Sequence, residues 1–264
     1  AKPYHSAMPL RPEHALRAAL RPVPAGPRPV SVLVAGATGA TGEAMLTQLA
    51  SSPRVAQVGV LLQQPVTVAM RHVRGLLVEP QCAHPWPLHP ADEGVVLFDP
   101  PRLFHGREKA LLPIDPEQLP AVAQWMHRCG VRRLMVVMPH AQGRLPDALK
   151  RGLANLDEQA VAAMGFDTVL FVRSARAPVR SGGAHPLQRL AGAMLGVLHH
   201  LVPARQKPVS AARVARFAEA LLAQAPPGLH VVAPEQVWAA AQGDGDAALA
   251  HWRPGVPVPR DNAA

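Results

Sequence analysis

The sequence predicts an α/β fold: a doubly wound parallel sheet with helices on both faces, together with a small C-terminal substrate or partner region. Short apolar runs alternate along the chain with longer segments of helical period, which is the pattern of repeated strand–helix–strand units. The chain has 264 residues, 48% of them hydrophobic, so it can bury one sizeable core. Aromatic residues make up only 4%, so we expect mostly aliphatic side chains in that core.

Apolar runs bounded by glycine, proline or polar residues predict seven strands. They cover Val30–Ala35, Val55–Leu62, Leu76–Val78, Gly94–Phe98, Val131–Met138, Thr168–Val172 and Leu229–Val232. Segments of helical period predict helices over Glu43–Ala50, Pro116–Cys129, Pro146–Met164, Pro186–Leu201 and Ser210–Ala225. Gly130 follows one of these helices and is predicted to be its C′ residue. In the helix over Pro146–Met164 the apolar face is predicted to include Leu156.

A glycine-rich turn follows the first predicted strand and reads Gly36-Ala37-Thr38-Gly39-Ala40-Thr41-Gly42. In this position the first glycine permits a tight turn, the second lets the backbone approach a diphosphate, and the third lets helix and strand pack closely. The helix start then offers free N–H donors and a partial positive charge. The turn therefore predicts a Rossmann-type dinucleotide site with Gly36, Thr38, Gly39, Ala40, Thr41 and Gly42 as cofactor-binding residues. The alternative is a turn that has kept the fold and lost the ligand.

The end of the second strand favours NADP(H) over NAD(H). An acidic residue there would bond the ribose hydroxyls of NAD, but this chain has Gln63 and Gln64 and no acid between Glu43 and Glu79. Without that carboxylate, a 2′-phosphate meets no repulsion. Gln63 joins the predicted cofactor-binding residues, and Arg71 is a candidate for a nearby cation.

Composition divides the chain into three parts. Residues 1–29 are rich in Arg and Pro and predict an extension with a Pro-rich linker, residues 30–240 the NAD(P)-binding domain, and residues 241–264 a loose tail. Two cysteines give no disulfide framework and favour a reducing, cytoplasmic location, or an organelle matrix if residues 1–29 derive from a targeting segment. No apolar run reaches the roughly 20 residues of a membrane span.

The charge is strongly basic, with a net value of +9, and favours anionic partners. From Arg173 to Arg216 there are eight Lys or Arg residues and no Asp or Glu. This segment is either an ordinary solvated face or a surface for an acidic protein partner or a larger complex. Nucleic acid is disfavoured, since the basic residues are not interleaved with aromatics and no recognised motif is present.

Beyond the glycine turn, several stretches resemble the atypical short-chain dehydrogenase/reductases, especially NmrA-like NAD(P)H-binding proteins. Residues 131–138 resemble the strand that carries the family's serine, residues 156–167 the helix end and loop before the next strand, and residues 209–222 its late helix. Residues 170–173 resemble the following strand end, with Ser174 in place of proline. The resemblance covers roughly residues 30–235 and implies a Rossmann-type fold with a bound NAD(P).

Family oxidoreductases use a Ser, a Tyr and a Lys four residues after the Tyr, and this set is missing here. The only tyrosine is Tyr4, outside the domain. The resemblance puts Lys150 at the Tyr position, Ala154 at the Lys position, and Met138 or Pro139 at the Ser position. It therefore implies a catalytically degenerate protein, a pseudoenzyme acting as a regulatory, redox-sensing or structural subunit.

His140 supports the alternative, an active NADP-dependent oxidoreductase or isomerase with a non-standard acid/base. It comes at the end of the strand where the serine would lie, and imidazole can transfer protons near neutral pH. Chance placement among 13 histidines is the other interpretation. Cys82, His84 and His89 offer metal-binding atoms in one loop, but their spacing matches no zinc pattern, so no metal site is predicted.

Overall fold

A computed structural model of the chain describes residues 28–66, 70–80, 86–99, 109–140, 155–175 and 209–241, with backbone only at 139, 140 and 175. Its centre is a parallel sheet of seven strands. They are β1 (Val30–Ala35), β2 (Val55–Leu62), β3 (Val73–Leu77), β4 (Glu93–Leu97), β5 (Arg133–His140), β6 (Thr168–Ala175) and β7 (Gly228–Val232). The strand order is β3-β2-β1-β4-β5-β6-β7. The first six strands follow the Rossmann order, which reverses between β1 and β4.

The helices cover both faces of this sheet, as the sequence predicts. They are α1 (Ala40–Ser51), α2 (Leu119–Arg128, preceded by a 3-10 turn at Pro116–Gln118), α3 (Leu156–Ala162), α4 (Ala211–Gln224) and α5 (Pro234–Ala240). On one face α1 packs against α4, and on the other α2 packs against α3. Successive residues of β1 supply the two cores in turn, Val32 and Val34 on the first face and Leu33 and Ala35 on the second.

The predicted strands all occur, and β1 and β2 have the predicted bounds. β3 begins three residues before its predicted start and β6 ends three residues after its predicted end, while β5 is shifted by two residues. β5 and β6 pair with each other as far as His140 and Ala175. Gly130 follows Cys129, the C-cap of α2, and has a φ of +93°, which confirms the predicted C′ residue. The short helix α5 was not predicted, and the predicted helix Pro186–Leu201 lies outside the described residues.

The prediction of one continuous helix over Pro146–Met164 is wrong. Asn155 has extended backbone angles, and its side chain accepts a hydrogen bond from the Glu158 amide at 2.8 Å, so a helix begins there. The new start also changes which residues face the core. Glu158 and Val161 are buried, whereas Leu156 is 79% exposed.

An ion-pair network ties the amino-terminal edge of the sheet together. The Glu93 carboxylate, at the start of β4, accepts a hydrogen bond from the Arg54 guanidinium at 2.6 Å. The guanidinium of Arg133, at the start of β5, lies 3.9 Å from the same carboxylate oxygen. Arg54 also reaches Glu219 of α4 at 3.4 Å. Burial raises the pKa of Glu93 more than its arginine neighbours lower it, and its Oε2 atom is buried with no hydrogen-bond partner among the described residues.

None of the helices in the described part of the chain has the length and apolar character to cross a membrane. The predicted extension and tail lie almost wholly outside that part of the chain, so the three-part division stays a prediction.

Candidate functional site

The glycine turn lies at the carboxyl edge of the sheet, where β1 ends and α1 begins. Gly36 has a φ of +74°, a conformation that glycine adopts readily and other residues avoid. A Cβ atom on Gly36 would lie 1.9 Å from the carbonyl oxygen of Leu97 in β4. A Cβ on Gly42 would lie 2.4 Å from the Cα of Ala37. The first and third glycines are therefore required by the close approach of the turn to β4 and of α1 to the turn.

The middle glycine has a different neighbour, the side chain of Asp99. A Cβ on Gly39 would lie 2.4 Å from the Asp99 carboxyl carbon. One oxygen of that carboxylate accepts hydrogen bonds from the backbone N–H of Thr41 at 2.6 Å and of Gly42 at 3.1 Å. The backbone carbonyl of Asp99 accepts a bond from the Thr38 hydroxyl at 2.5 Å. Asp99 is thus bound to the turn through both its side chain and its main chain.

The sheet order explains why Asp99 is in this position. Strand β4 pairs with β1 in parallel, with Val96 opposite Ala35, so residues after the two strands meet at one edge. Gly39 precedes α1 as its N-cap and has no side chain to bond the first N–H groups of the helix. The Asp99 carboxylate supplies that bond from 58 residues away, with a charge that the helix start favours.

A small cavity lies beside this carboxylate among the described residues. The cavity at the carboxyl edge has a volume of about 20 Å³, and Thr41, Phe98, Asp99, Val137 and Ser174 are among its lining residues. A volume of this size holds about one water molecule. The N–H donors of the turn suit a diphosphate chemically. In this conformation, however, the Asp99 carboxylate fills the space in front of those donors.

Gln63 lies at the end of β2, as predicted, and is fixed by a neighbouring segment. Its side-chain amide donates to the Lys109 carbonyl at 2.7 Å, and its backbone N–H donates to the Ala110 carbonyl at 2.8 Å. These bonds bring an exposed lysine, which is distant in sequence, beside Gln63. The suggestion that Arg71 is the nearby cation is wrong. Arg71 lies two residues before β3, at the amino edge of the sheet, whereas Gln63 follows β2 at the carboxyl edge. The five residues of β3 alone separate the two edges by about 16 Å.

Arg173 is buried at the end of β6 and does not contribute to a basic surface. Its guanidinium donates to Glu158 of α3 at 2.9 Å, and the side chains of the pair are 3% and 2% exposed. Ser174, which follows it, is buried against the cavity at the carboxyl edge. Most of the basic segment, residues 176–208, lies outside the described residues.

The candidate catalytic residue His140 is the last residue of β5, with its backbone opposite Ala175 of β6. Met138 and Pro139 precede it on the same strand. This places the backbone of all three at the carboxyl edge, the same edge as the glycine turn. Lys150 and Ala154, at the family's Tyr and Lys positions, lie outside the described residues, so the role of His140 stays a prediction.

The loop with possible metal-binding atoms is described only in part. Cys82 and His84 lie outside the described residues, while the backbone N–H of His89 lies 3.5 Å from the sulfur of Cys129. Within the part of the chain that is described, no three His, Cys, Asp or Glu side chains are grouped so that they could hold a metal ion.

Comparison with known proteins gives similarity of structure only. No protein-family model and no curated protein matches the sequence. A Rossmann-fold NAD(P)-binding family protein from Shigella flexneri is 14% identical over 74% of this chain and 86% of its own, with a TM-score of 0.42. MoeE5, solved with UDP-glucuronic acid and NAD, is 16% identical over 77% of this chain and 76% of its own, with a TM-score of 0.45.

A third similar structure is the Bordetella bronchiseptica enzyme WbmF in complex with NAD⁺. It is 11% identical over 83% of this chain and 80% of its own, with a TM-score of 0.44. The fold assignment itself rests on the strand order: the chain is an α/β protein of Rossmann type.

Proposed function

We propose that this chain binds a nicotinamide dinucleotide at the carboxyl edge of the sheet and uses it as a regulatory, redox-sensing or structural ligand. One observation carries the proposal: the N–H groups of Thr41 and Gly42 converge on a single oxygen atom, and that atom belongs to an anion. A diphosphate oxygen is the ligand that this pair of donors, at the start of a twelve-residue helix, would bind in a Rossmann-type protein.

Binding without turnover is proposed because the acid/base residues of the resembling family are missing. Residues 30–240 contain no tyrosine, and the position that corresponds to the family's Tyr holds Lys150. The dinucleotide, when bound, would supply hydride chemistry. The residues described here can bind and orient it through Gly36, Thr38, Gly39 and Gly42.

Calorimetry with NAD⁺, NADH, NADP⁺ and NADPH tests the proposal. We expect stoichiometric binding by the full chain, abolished by Gly39→Val, since that side chain would occupy the approach to Thr41. Gly165→Ala is a control for glycine replacement, because Gly165 has a φ of +84° and no atom within 4 Å of its added Cβ. Absence of heat with all four nucleotides would refute the proposal.

We further propose that NADP(H) is preferred to NAD(H). The end of β2 has an amide in place of a carboxylate, and the Gln63 side chain is bonded to the backbone carbonyl of Lys109, an exposed residue whose positive charge would favour a 2′-phosphate. Gln63→Glu introduces a negative charge there, and we expect it to weaken NADP⁺ binding at least tenfold while changing NAD⁺ binding little. Gln224→Glu adds the same charge at the opposite edge of the sheet and serves as the control. Equal effects on both nucleotides would contradict the preference.

The second candidate is an NADP-dependent oxidoreductase or isomerase with His140 as its acid/base. The position of the His140 backbone at the edge that carries the glycine turn favours it. Oxidation of NADPH in the presence of carbonyl substrates, abolished by His140→Ala with nucleotide affinity unchanged, would support this candidate. Stoichiometric binding with no turnover in either protein would support the first.

A further inference from the structure

The two backbone donors that a diphosphate needs are both in use in the structure. The Asp99 carboxylate accepts from Thr41 and Gly42 at 2.6 and 3.1 Å, and Gly39 leaves room for it by having no side chain. The cavity that Thr41, Asp99 and Ser174 line has a volume of about 20 Å³, which holds about one water molecule. The Asp99 carboxylate therefore occupies the hydrogen-bond donors of the glycine turn in this conformation.

A carboxylate resembles a phosphate in the properties that this position selects. It is anionic, so the partial positive charge of the helix start attracts it, and its oxygen accepts two N–H bonds at once. Two anions cannot share these donors, because at contact distance their charges repel and the bonds are available to only one of them. Occupation by Asp99 and occupation by a ligand phosphate are mutually exclusive.

We propose that Asp99 is an internal competitor for the phosphate position: a phosphate-bearing ligand binds at the glycine turn only after the carboxylate has left it. This inference rests on the proposed function, since it concerns the same site. It predicts that the wild-type chain binds phosphate ligands more weakly than a chain whose glycine turn is not occupied by Asp99. The reason is that only the fraction of wild-type molecules with Asp99 displaced can bind the ligand. Asp99 would set the ligand concentration at which the protein responds.

Calorimetry with inorganic pyrophosphate and with NADP⁺, at fixed ionic strength, provides the test. A capping bond of this kind corresponds to an equilibrium factor of about five, so Asp99→Ala should bind both ligands about fivefold more tightly than wild type. Without ligand the variant should melt at a lower temperature, and pyrophosphate should restore the loss. Asp99→Asn keeps the size and one acceptor oxygen, so it tests the charge alone in a protein more certain to fold.

Asp92→Ala is the matched control. The Asp92 carboxylate also accepts from a backbone N–H and a hydroxyl, both of Ser31, but at the amino edge of the sheet. The Asp92→Ala variant removes the same charge and a similar pair of hydrogen bonds, but it leaves the donors of the glycine turn bonded to Asp99. If Asp99→Ala and Asp99→Asn bind pyrophosphate no more tightly than Asp92→Ala does, the competition is refuted.

The two proposals fail in different ways. Wild-type protein that binds NADP⁺ with an affinity unchanged by Asp99→Ala would leave the proposed function standing and overturn the competition. An Asp99→Ala protein that binds pyrophosphate more tightly but no nicotinamide nucleotide would support the competition and overturn the proposed function.

Discussion

Replacing Gly36 with alanine tests whether the first glycine of the turn is required by the fold itself. Two features of the structure oppose a side chain at this position. The φ of +74° lies in the left-handed region, and the added Cβ would lie 1.9 Å from the Leu97 carbonyl oxygen. The second feature is the more severe, because that oxygen belongs to the backbone of β4 and cannot turn aside as a flexible side chain could.

The two features contribute separately to the expected loss of stability. The left-handed conformation costs an alanine about 1–2 kcal/mol. Overpacking in a well-packed interior typically costs about 1–3 kcal/mol. We therefore expect Gly36→Ala to lower the free energy of unfolding by about 2–5 kcal/mol. Gly165→Ala shares the positive φ but meets no atom within 4 Å, so its loss should be confined to about 1–2 kcal/mol.

Urea denaturation of the full chain, followed by both fluorescence and circular dichroism, gives the two values without added nucleotide. The difference between the variants measures the contact with Leu97 alone. Equal losses would refute the reasoning, since they would mean that β1 and β4 separate at no cost and that the glycine is present for the ligand.

Three further predictions concern stability. Arg173→Met should cost about 3–5 kcal/mol in urea denaturation because it removes the cation that lies 2.9 Å from the buried Glu158 carboxylate. The double variant Arg173→Met/Glu158→Leu should regain much of this loss, and a double variant no better than the single would contradict the prediction. Burial raises the pKa of Glu93 above its ordinary 4.5, so the native state binds the carboxyl proton more firmly than the unfolded state does. The contribution of Glu93 to the free energy of unfolding is therefore lost as pH rises from about 4.5 through the raised pKa. Unfolding measured between pH 4.5 and 7 should show Glu93→Gln gaining on wild type as pH rises, whereas parallel curves would be evidence against burial as the main cause. Asn155→Ala should lower the free energy of unfolding by about 1 kcal/mol through loss of a helix cap, and an unchanged urea midpoint would be the contrary result.

The sequence predicted the sheet well because its strands are continuous apolar runs. Residues 32–35 of β1 and 58–62 of β2 are all buried, and both strands are bounded by turn residues, so their ends are set locally. The helix over Pro146–Met164 was mispredicted because its apolar period continues past Asn155. That period does not show that Asn155 takes an extended conformation and starts a helix. Arg71 was misplaced because the strand that follows it was predicted only over Leu76–Val78, whereas it begins at Val73 and leaves Arg71 in the short connection at the amino edge.

The decisive residue of the site, Asp99, was not recognised as part of it. In Asp99-Pro100-Pro101 the sequence shows a strand that ends, and the contact with Gly39 joins segments 60 residues apart. One signal was available. In the Rossmann order the strand before Asp99 is the neighbour of the strand before the glycine turn, so residues that follow the two strands must meet. The position of Lys109 beside Gln63 depends on a long connection and had no comparable signal.

The ion pairs at the amino edge of the sheet have a consequence for how the chain comes apart. Arg54 bonds both Glu93 and Glu219, and Glu219 is 165 positions from Arg54 along the chain. Losing α4 would remove one of these two carboxylates and open the cluster to water. A fragment that stops before Ala211 would therefore be poorly stable, and the first strands and the last helix should unfold in a single cooperative transition rather than in stages.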